Sequence, residues 1–218
     1  MKYLRLITVC VVLFSAANLW AVIDLYNQAP VEDAYVDKVR PNDTYNSAVL
    51  QIQGFEDDSF PGSSVDSVQR SFLKFDVSSL EGKSLLSAKF GIYLNASSSY
   101  SPPSMQLYHI GDGWAESSIT WNNSTSLVAG AVAIGTDEQV DAYRYYEWDV
   151  FSSWDASDIT DGYVSYLLTV GQEGLNNYGY FYGSENAEFQ PYLKIEYIPE
   201  PASIALLGLG AVLFRKRR

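Results

Sequence analysis

The sequence predicts an all-β protein, a single antiparallel β-sandwich of the jelly-roll kind. Short runs of alternating apolar and polar residues are separated by turn residues about every eight to twelve positions, which is typical of sandwiches. No long stretch of helical period lies between the two ends of the chain. Aromatic residues make up 15% of the 218 residues, with 17 tyrosines, and this content excludes a disordered chain.

Roughly ten strands are expected between the two terminal segments. In chain order they are residues 31–36, 49–53, 72–77, 86–94, 105–110, 131–136, 145–150, 163–169, 178–184 and 192–197. The clearest alternation places Leu73, Phe75 and Val77 on one face of a strand. Phe72, Lys74 and Asp76 then lie on the other face. One domain, residues 22–198, is therefore expected between a leader and a tail.

The segment 158–170 fits two patterns. Ile159, Tyr163, Tyr166 and Val170 would share one face of a helix. The glycines at 162 and 171 and the β-branched content favour a strand, and we predict a strand here.

The first 21 residues have the layout of a secretory signal peptide. Lys2 and Arg5 precede an apolar run, and signal peptidase could cleave after Ala17 or after Ala21. Cys10 is the only cysteine and lies within this leader. The exported protein is therefore expected to lack disulfide bonds.

The last residues, 199–218, resemble a PEP-CTERM sorting signal, the tail that an exosortase-type membrane protease recognises and removes. An apolar stretch at 202–214 would form a helix of about 20 Å, short of the ~30 Å hydrocarbon core. The residues that carry the resemblance are Pro199, Glu200 and Pro201 before this stretch and Arg215, Lys216, Arg217 and Arg218 after it. The resemblance implies export through the inner membrane, transient C-terminal anchoring by a hydrophobic terminal helix, and delivery to the cell surface or extracellular matrix.

The central part of the chain is strongly acidic. The chain has 14 basic and 26 acidic residues, of which six basic residues and one acid lie in the terminal segments. Eight basic and 25 acidic residues remain between positions 22 and 199, a net charge of −17. Such a surface excludes nucleic acid as a partner and would repel an acidic polysaccharide unless cations intervene.

The most specific stretch within the domain is 114–123, with the sequence WAESSITWNN. Its Ser, Thr and Asn side chains are suited to capping an irregular backbone. We predict that Trp114 and Trp121 pin this crossover onto the core, in preference to the alternative that they form a sugar-stacking platform.

From these residues the domain resembles the DNRLRE (disaggregatase-related) family, classed among carbohydrate-binding modules. The matching segments are 33–36 (DAYV), 41–46, 70–76 (RSFLKFD), 87–93 (SAKFGIY), 114–123, 146–150 (YEWDV), 184–185 and 191–197 (PYLKIEY). Two loops depart from the family pattern: Thr44-Tyr45-Asn46 stands where the family has Asn-Tyr-Gly, and Thr125 where it usually has Pro. The resemblance implies a β-sandwich that binds polysaccharide.

Catalytic constellations are scarce. His109 is the only histidine, which leaves too few ligands for a zinc site, and its strand position favours a structural role over that of the base in a Ser-His-Asp triad. No pair of carboxylates is placed by sequence in a glycosidase arrangement. The expectation is that the protein is not an enzyme; the alternative is a polysaccharide lyase, and a third is a purely structural surface protein.

No cofactor is certain from the sequence, and calcium is the favoured inorganic ligand. Calcium needs six to eight oxygens. One candidate set is Glu32, Asp33 and Asp37 near the first predicted strand, and the other pairs Asp76 with Glu185. The default alternative is that these acidic residues are ordinary solvated side chains that bind no ion.

Five tyrosines form a candidate ligand-binding strip, since alternate residues of a strand share a face. They are Tyr143, Tyr145, Tyr178, Tyr180 and Tyr182. The same residues would also suit an outer sheet face with no ligand. The function predicted from the sequence is a non-catalytic, surface-sorted protein that binds a neutral polysaccharide, or an acidic one through calcium.

Overall fold

The computed structural model describes residues 24–55, 67–97, 103–135, 138–139, 143–171 and 177–198. The predicted signal peptide and the sorting tail at 199–218 lie outside these residues, as do the hydrophobic terminal helices expected there. Those assignments stay predictions from the sequence.

Twelve strands and two short helices make up the described part of the chain. The strands are β1 (Asp24–Gln28), β2 (Glu32–Asp37), β3 (Val49–Phe55), β4 (Ser67–Asp76), β5 (Ser84–Ser97), β6 (Ser104–Ile110), β7 (Val132–Ala133), β8 (Glu138–Gln139), β9 (Tyr145–Asp149), β10 (Tyr163–Val170), β11 (Asn177–Tyr182) and β12 (Tyr192–Ile198). The helices are α1 (Thr125–Ala129) and α2 (Ala156–Asp161), and 3₁₀ turns occupy Ser78–Leu80 and Phe151–Ser153.

All strand pairs are antiparallel, and they form two sheets. In the first sheet, β5 pairs with β9 along one edge and with β12 along the other, and β12 pairs with β1. The second sheet runs β11-β3-β4-β10-β6, with β2 paired to β4 and the short β7 and β8 paired to β6. The end of β5 crosses over to pair with β11, where Phe181 lies opposite Leu94, so the two sheets curl into one sandwich.

The inner faces of both sheets enclose the main core. The first sheet contributes alternate residues such as Phe90 and Ile92, and the second contributes Phe75 and Tyr166, all of them fully buried. The rings of Phe75 and Phe90 meet edge to face with 6.0 Å between centroids, and Phe90 lies 5.3 Å from Tyr166. The predicted antiparallel β-sandwich is confirmed.

A second, smaller core covers the outer face of the second sheet. Phe72 and Leu167 point outward from β4 and β10, and the crossover after β6 packs over them through Trp114 and Ile119. The alternation predicted for β4 is therefore correct, but its second face is not a solvent face. Lys74, on that face, is only 7% exposed.

The segment 158–170 combines the two patterns that its sequence fits. Helix α2 occupies its start and β10 its remainder, so the prediction of a strand throughout was wrong for the first residues. A capping box starts the helix: Asp155 accepts from the Ser157 amide and Asp158 accepts from the Asp155 amide. Gly162 ends it with φ of 84°, a left-handed conformation that favours glycine.

Two further elements differ from the sequence prediction. Strand β1 was not predicted, because only Tyr26 of its central residues packs against the core and the strand is held by backbone pairing with β12. The strand expected at 131–136 is limited in the described residues to the two residues of β7, because the chain there is leaving helix α1.

Candidate functional site

The most prominent surface feature is a row of half-buried aromatic rings, which we call the tyrosine face. Its members come from five strands and two loops, and all have intermediate exposure: Tyr35, Tyr45, Tyr93, Tyr145, Tyr178, Tyr180, Tyr182, Phe189 and Tyr192. On β5, β9, β11 and β12, these rings alternate with core residues such as Ile92 and Phe181. The pleat therefore puts them outside the main core.

Five of these rings form one contiguous group. Tyr93 lies at its centre, with its ring centroid 4.4 Å from Phe189, 5.2 Å from Tyr145 and 6.1 Å from Tyr182. Tyr192 extends the group on the far side of Tyr145, at 5.2 Å. These separations lie in the range of favourable aromatic contacts, so the rings hold one another in place.

Two stacked pairs form the second part of the tyrosine face. Tyr178 stacks on Tyr180 with centroids 4.9 Å apart, and Tyr35 stacks on Tyr45 at 4.5 Å. Burial raises the pKa of the Tyr35 and Tyr180 hydroxyls, and both therefore stay neutral at ordinary pH. A neutral hydroxyl on a stacked ring offers both a hydrogen-bond donor and an acceptor to a ligand.

A glycine fixes the orientation of Tyr192. Gly91 lies opposite Tyr192 on the paired strand, and a Cβ at Gly91 would come within 2.3–2.7 Å of three atoms of the tyrosine ring. The ring therefore lies directly over the Gly91 backbone. Its hydroxyl donates to Glu147, and burial together with this carboxylate raises the pKa of Tyr192.

The structure places the five tyrosines proposed from the sequence as follows. Tyr145, Tyr178, Tyr180 and Tyr182 all belong to the tyrosine face. Tyr143 precedes β9, is 69% exposed, and contributes its main-chain carbonyl as acceptor for the Tyr93 hydroxyl.

Sequence reasoning missed the other five rings of the tyrosine face. Tyr93 and Tyr192 lie on strands that were predicted correctly, at positions that alternate with the core residues. Period-two alternation could therefore have identified them as outward-facing. Tyr35, Tyr45 and Phe189 reach this surface only through strand pairing and loop conformation.

The acidic residues proposed as calcium ligands fall into four places. Glu32 forms an ion pair with Lys74, 2.9 Å from its Nζ, and Asp37 accepts from the Gln69 side chain. Asp76 accepts hydrogen bonds from the amide and hydroxyl of Ser78 at the end of β4. Only Asp33 and Glu185 come together.

Asp33 is fully buried, and Glu185 stands beside it after β11. Burial raises the pKa of Asp33 to about 7, with the Glu185 and Glu116 carboxylates acting in the same direction. The hydrogen bond from the Ser184 amide acts against them. Within the described ranges, no three His, Cys, Asp or Glu side chains already surround one metal position.

His109 lies on β6, opposite Tyr166 of β10, and takes part in a buried ion pair. Its Nε2 is 3.2 Å from the Asp158 carboxylate of helix α2, and its ring is 6.2 Å from Tyr166. The hydroxyl of Tyr166 accepts from the Trp154 indole at 2.7 Å. The interaction with Asp158 raises the pKa of His109, and this arrangement ties helix α2 to the second sheet.

The His109 ion pair should make the stability of the domain fall as pH rises past the ordinary range of the histidine pKa. The pKa of His109 is higher in the folded protein than in the unfolded chain. The ion pair therefore contributes its full stability below the unfolded histidine pKa of about 6.5, and this contribution is lost as pH rises through the folded pKa. We expect wild type to lose on the order of 1 kcal/mol more than His109→Gln over that interval. Urea denaturation from pH 5 to 9 measures the difference.

Taking the difference between the two proteins removes the titration of groups that do not interact with His109, such as Asp33. Parallel pH profiles for the two proteins would contradict a stabilising charge on His109.

The two tryptophans of the crossover have different environments. Trp114 is 7% exposed, and its indole donates to Ser165 at 3.1 Å. Trp121 is half-buried, with the Arg70 guanidinium 4.4 Å above its ring. The predicted structural role is confirmed for Trp114, whereas Trp121 packs against the second core with only part of its surface.

A cavity of about 270 Å³ lies on the outer face of the second sheet. Arg70, which also contacts Trp121, forms part of its wall. Gln106, Tyr108 and Thr169 supply polar groups to its wall. Its wall contains one tyrosine, whereas the tyrosine face has nine rings, five of them in one contiguous group. The tyrosine face is therefore the stronger candidate site.

None of the helices in the part of the chain that the structure describes has the length and apolar character needed to cross a membrane.

The structure places the protein in the class of antiparallel β-sandwiches, here with aromatic rings on an outer face. The model of carbohydrate-binding module family 96 matches residues 25–197. The chain therefore belongs to carbohydrate-binding module family 96. The expected class of carbohydrate-binding module is confirmed under this family description rather than under the name DNRLRE.

The PEP-CTERM protein-sorting motif matches residues 198–218, which confirms the sorting signal expected from the sequence. The motif indicates export and C-terminal sorting to the cell surface. A comparison with curated protein sequences finds no match to the chain.

Proposed function

We propose that this exported protein binds a polysaccharide without cleaving it, and that the tyrosine face is the binding surface. The observation that carries the proposal is the set of nine half-buried rings on the surface of a carbohydrate-binding module, five of them in one contiguous group and four in two stacked pairs. Sugar rings present C–H groups on their faces, and aromatic rings bind such apolar patches while hydroxyls fix orientation. A row of rings suits a chain of sugar units.

The charge of the domain favours a neutral polysaccharide, or an acidic one bridged by calcium. The net charge of −17 between residues 22 and 199 opposes the approach of a polyuronate. Each close contact between like charges costs about 1 kcal/mol in water and several times more when partly desolvated. Stacking on neutral tyrosine rings carries no such cost.

The predicted processing partners follow from the C-terminal motif. An exosortase-type protease would remove the tail after export, and signal peptidase would remove the leader. Delivery to an extracellular matrix is the more specific destination that we propose, because a matrix supplies the polysaccharide that the module would bind.

Removing a ring from the tyrosine face should weaken polysaccharide binding. Tyr180 stacks on Tyr178 and lies near Tyr35, so Tyr180→Ala removes a central ring. We expect a five- to tenfold loss of affinity, which corresponds to about 1–1.4 kcal/mol. Tyr180→Phe keeps the ring and should lose less. A glycan array followed by calorimetric titration of the exported protein measures these affinities.

The matched control is Tyr163→Ala. Tyr163 is 41% exposed on β10 and points away from the main core of the second sheet. Its loss should leave affinity unchanged. Equal affinity of wild type and Tyr180→Ala for every bound glycan would contradict the tyrosine face as the site.

A turnover assay on each bound glycan separates this proposal from the polysaccharide-lyase alternative. A lyase would place a tyrosine or histidine base beside basic groups in a groove. The only histidine, His109, instead lies in the ion pair with Asp158, on the inner side of the second sheet. Absence of any bound glycan would favour the purely structural alternative.

A further inference from the structure

A buried carboxylate in β2 has one oxygen without a partner. Asp33 has no exposed surface, and its Oδ2 accepts a hydrogen bond of 2.6 Å from the Ser184 amide. Among the residues that the structure describes, Oδ1 has no hydrogen-bond partner. A buried carboxylate oxygen left in this way is costly unless a cation or a proton neutralises it.

Oxygens from three distant segments converge beside Gly183. A Cβ placed on Gly183 would lie 3.0 Å from Glu185 Oε2, 3.1 Å from the Ser47 carbonyl oxygen and 3.2 Å from Asp33 Oδ2. The glycine thus leaves open a small space bordered by two carboxylates and one main-chain carbonyl. Any larger residue would fill it.

A third carboxylate holds this arrangement from the crossover. Glu116 Oε2 accepts from the Asp33 amide at 3.2 Å, and Glu116 Oε1 accepts from the Asn46 side-chain amide. In the described part of the chain, no ion pair joins Asp33, Glu116 or Glu185 to a basic side chain. Among the described residues, three carboxylates therefore come together without an ion pair to any of them.

The donor set matches calcium better than other biological cations. Calcium accepts carboxylates, main-chain carbonyls and water in irregular arrangements of six to eight oxygens. Zinc prefers nitrogen and sulfur ligands, and magnesium requires a strict octahedron. Two carboxylates and a carbonyl supply part of a calcium shell, and water would complete it.

We propose that Asp33, Glu185 and the Ser47 carbonyl bind one calcium ion, which joins β2, the start of β3 and the turn after β11. Glu116 supports the site by holding the Asp33 backbone and Asn46 from the crossover. The proposal does not depend on polysaccharide binding. An ion here would replace the disulfide that this exported domain lacks, because it links segments about 150 residues apart.

Calorimetric titration of the exported protein with calcium chloride at pH 8 tests the site. Chelator-treated wild type should bind one calcium ion, more tightly than magnesium, and its Tm should rise by several degrees. Asp33→Asn and Glu185→Gln should each weaken binding at least tenfold. Gly183→Ala should have the same effect, because the added methyl group enters the site.

Glu188→Gln is the matched control, since it removes the same charge three residues from Glu185 at an exposed position. It should bind calcium like wild type. Glu185 is itself exposed, so Glu185→Gln is expected to keep the fold, and circular dichroism verifies this. No calcium binding by wild type, or wild-type affinity in both Glu185→Gln and Asp33→Asn, would overturn the proposal.

Discussion

Trp114→Ala is expected to destabilise the domain by about 3–5 kcal/mol, the usual cost of emptying a buried aromatic site. The indole packs edge to face on Phe72 with centroids 5.8 Å apart and donates to Ser165. The Lys74 ammonium lies 4.7 Å from the ring and also donates to the Trp114 carbonyl. Losing the indole therefore opens a cavity beside a buried charge. Urea denaturation at pH 7 measures the change.

Trp121→Ala is the natural comparison within the same crossover. Because Trp121 is half-buried, we expect a smaller loss of about 1–2 kcal/mol. A greater loss of stability for Trp121→Ala than for Trp114→Ala would contradict this prediction, because it would make Trp121 the main anchor of the second core. A lower glycan affinity in Trp121→Ala, with stability unchanged, would instead favour the sugar-platform alternative for that ring.

Removing the sorting signal is expected to abolish surface retention entirely. A chain truncated after Pro199 keeps the leader and the family-96 domain but loses the residues of the PEP-CTERM motif. It should be exported and released, with no C-terminal processing. Cell fractionation of the native host and mass spectrometry of the released protein measure both effects.

The control for this truncation is the full chain in the same host, which should be recovered without Arg215–Arg218. A mature surface protein that still carries this basic tail would contradict processing of the signal. The truncated chain should be as stable as the full chain, because the truncation removes none of the described strands. Equal stability would show that any loss of surface retention does not come from misfolding.

The fold was predictable from the sequence because alternation in single strands reports burial directly. Leu73 and Phe75 repeat at period two and lie in the core, as expected. Helix α2 was missed because its start depends on a capping box only four residues long, a weaker signal than the apolar run after it. Strand β1 was missed because its stability comes from pairing with a strand at the other end of the sequence.

The candidate site was predictable only where its residues share one strand. Tyr178, Tyr180 and Tyr182 alternate along β11, so one local pattern identifies them. Their neighbours Tyr35 and Tyr45 depend on the sheet order, which alternation does not specify. The same limit applies to Asp33 and Glu185. Each was identified from the sequence as a possible calcium ligand, but in different sets, because their proximity is a property of the tertiary fold.

The course of β12 gives the module a direction. Tyr192, at its start, lies on the tyrosine face opposite Gly91, whereas Ile198, at its end, lies opposite Ser84. Six residues of extended strand separate these ends by about 20 Å. Asp24 pairs with Tyr197, so the first described strand begins at the same end as the last one finishes. A chain held by its C-terminus would thus stand with its attachment at one pole and its aromatic rings toward the other, facing outward from the cell.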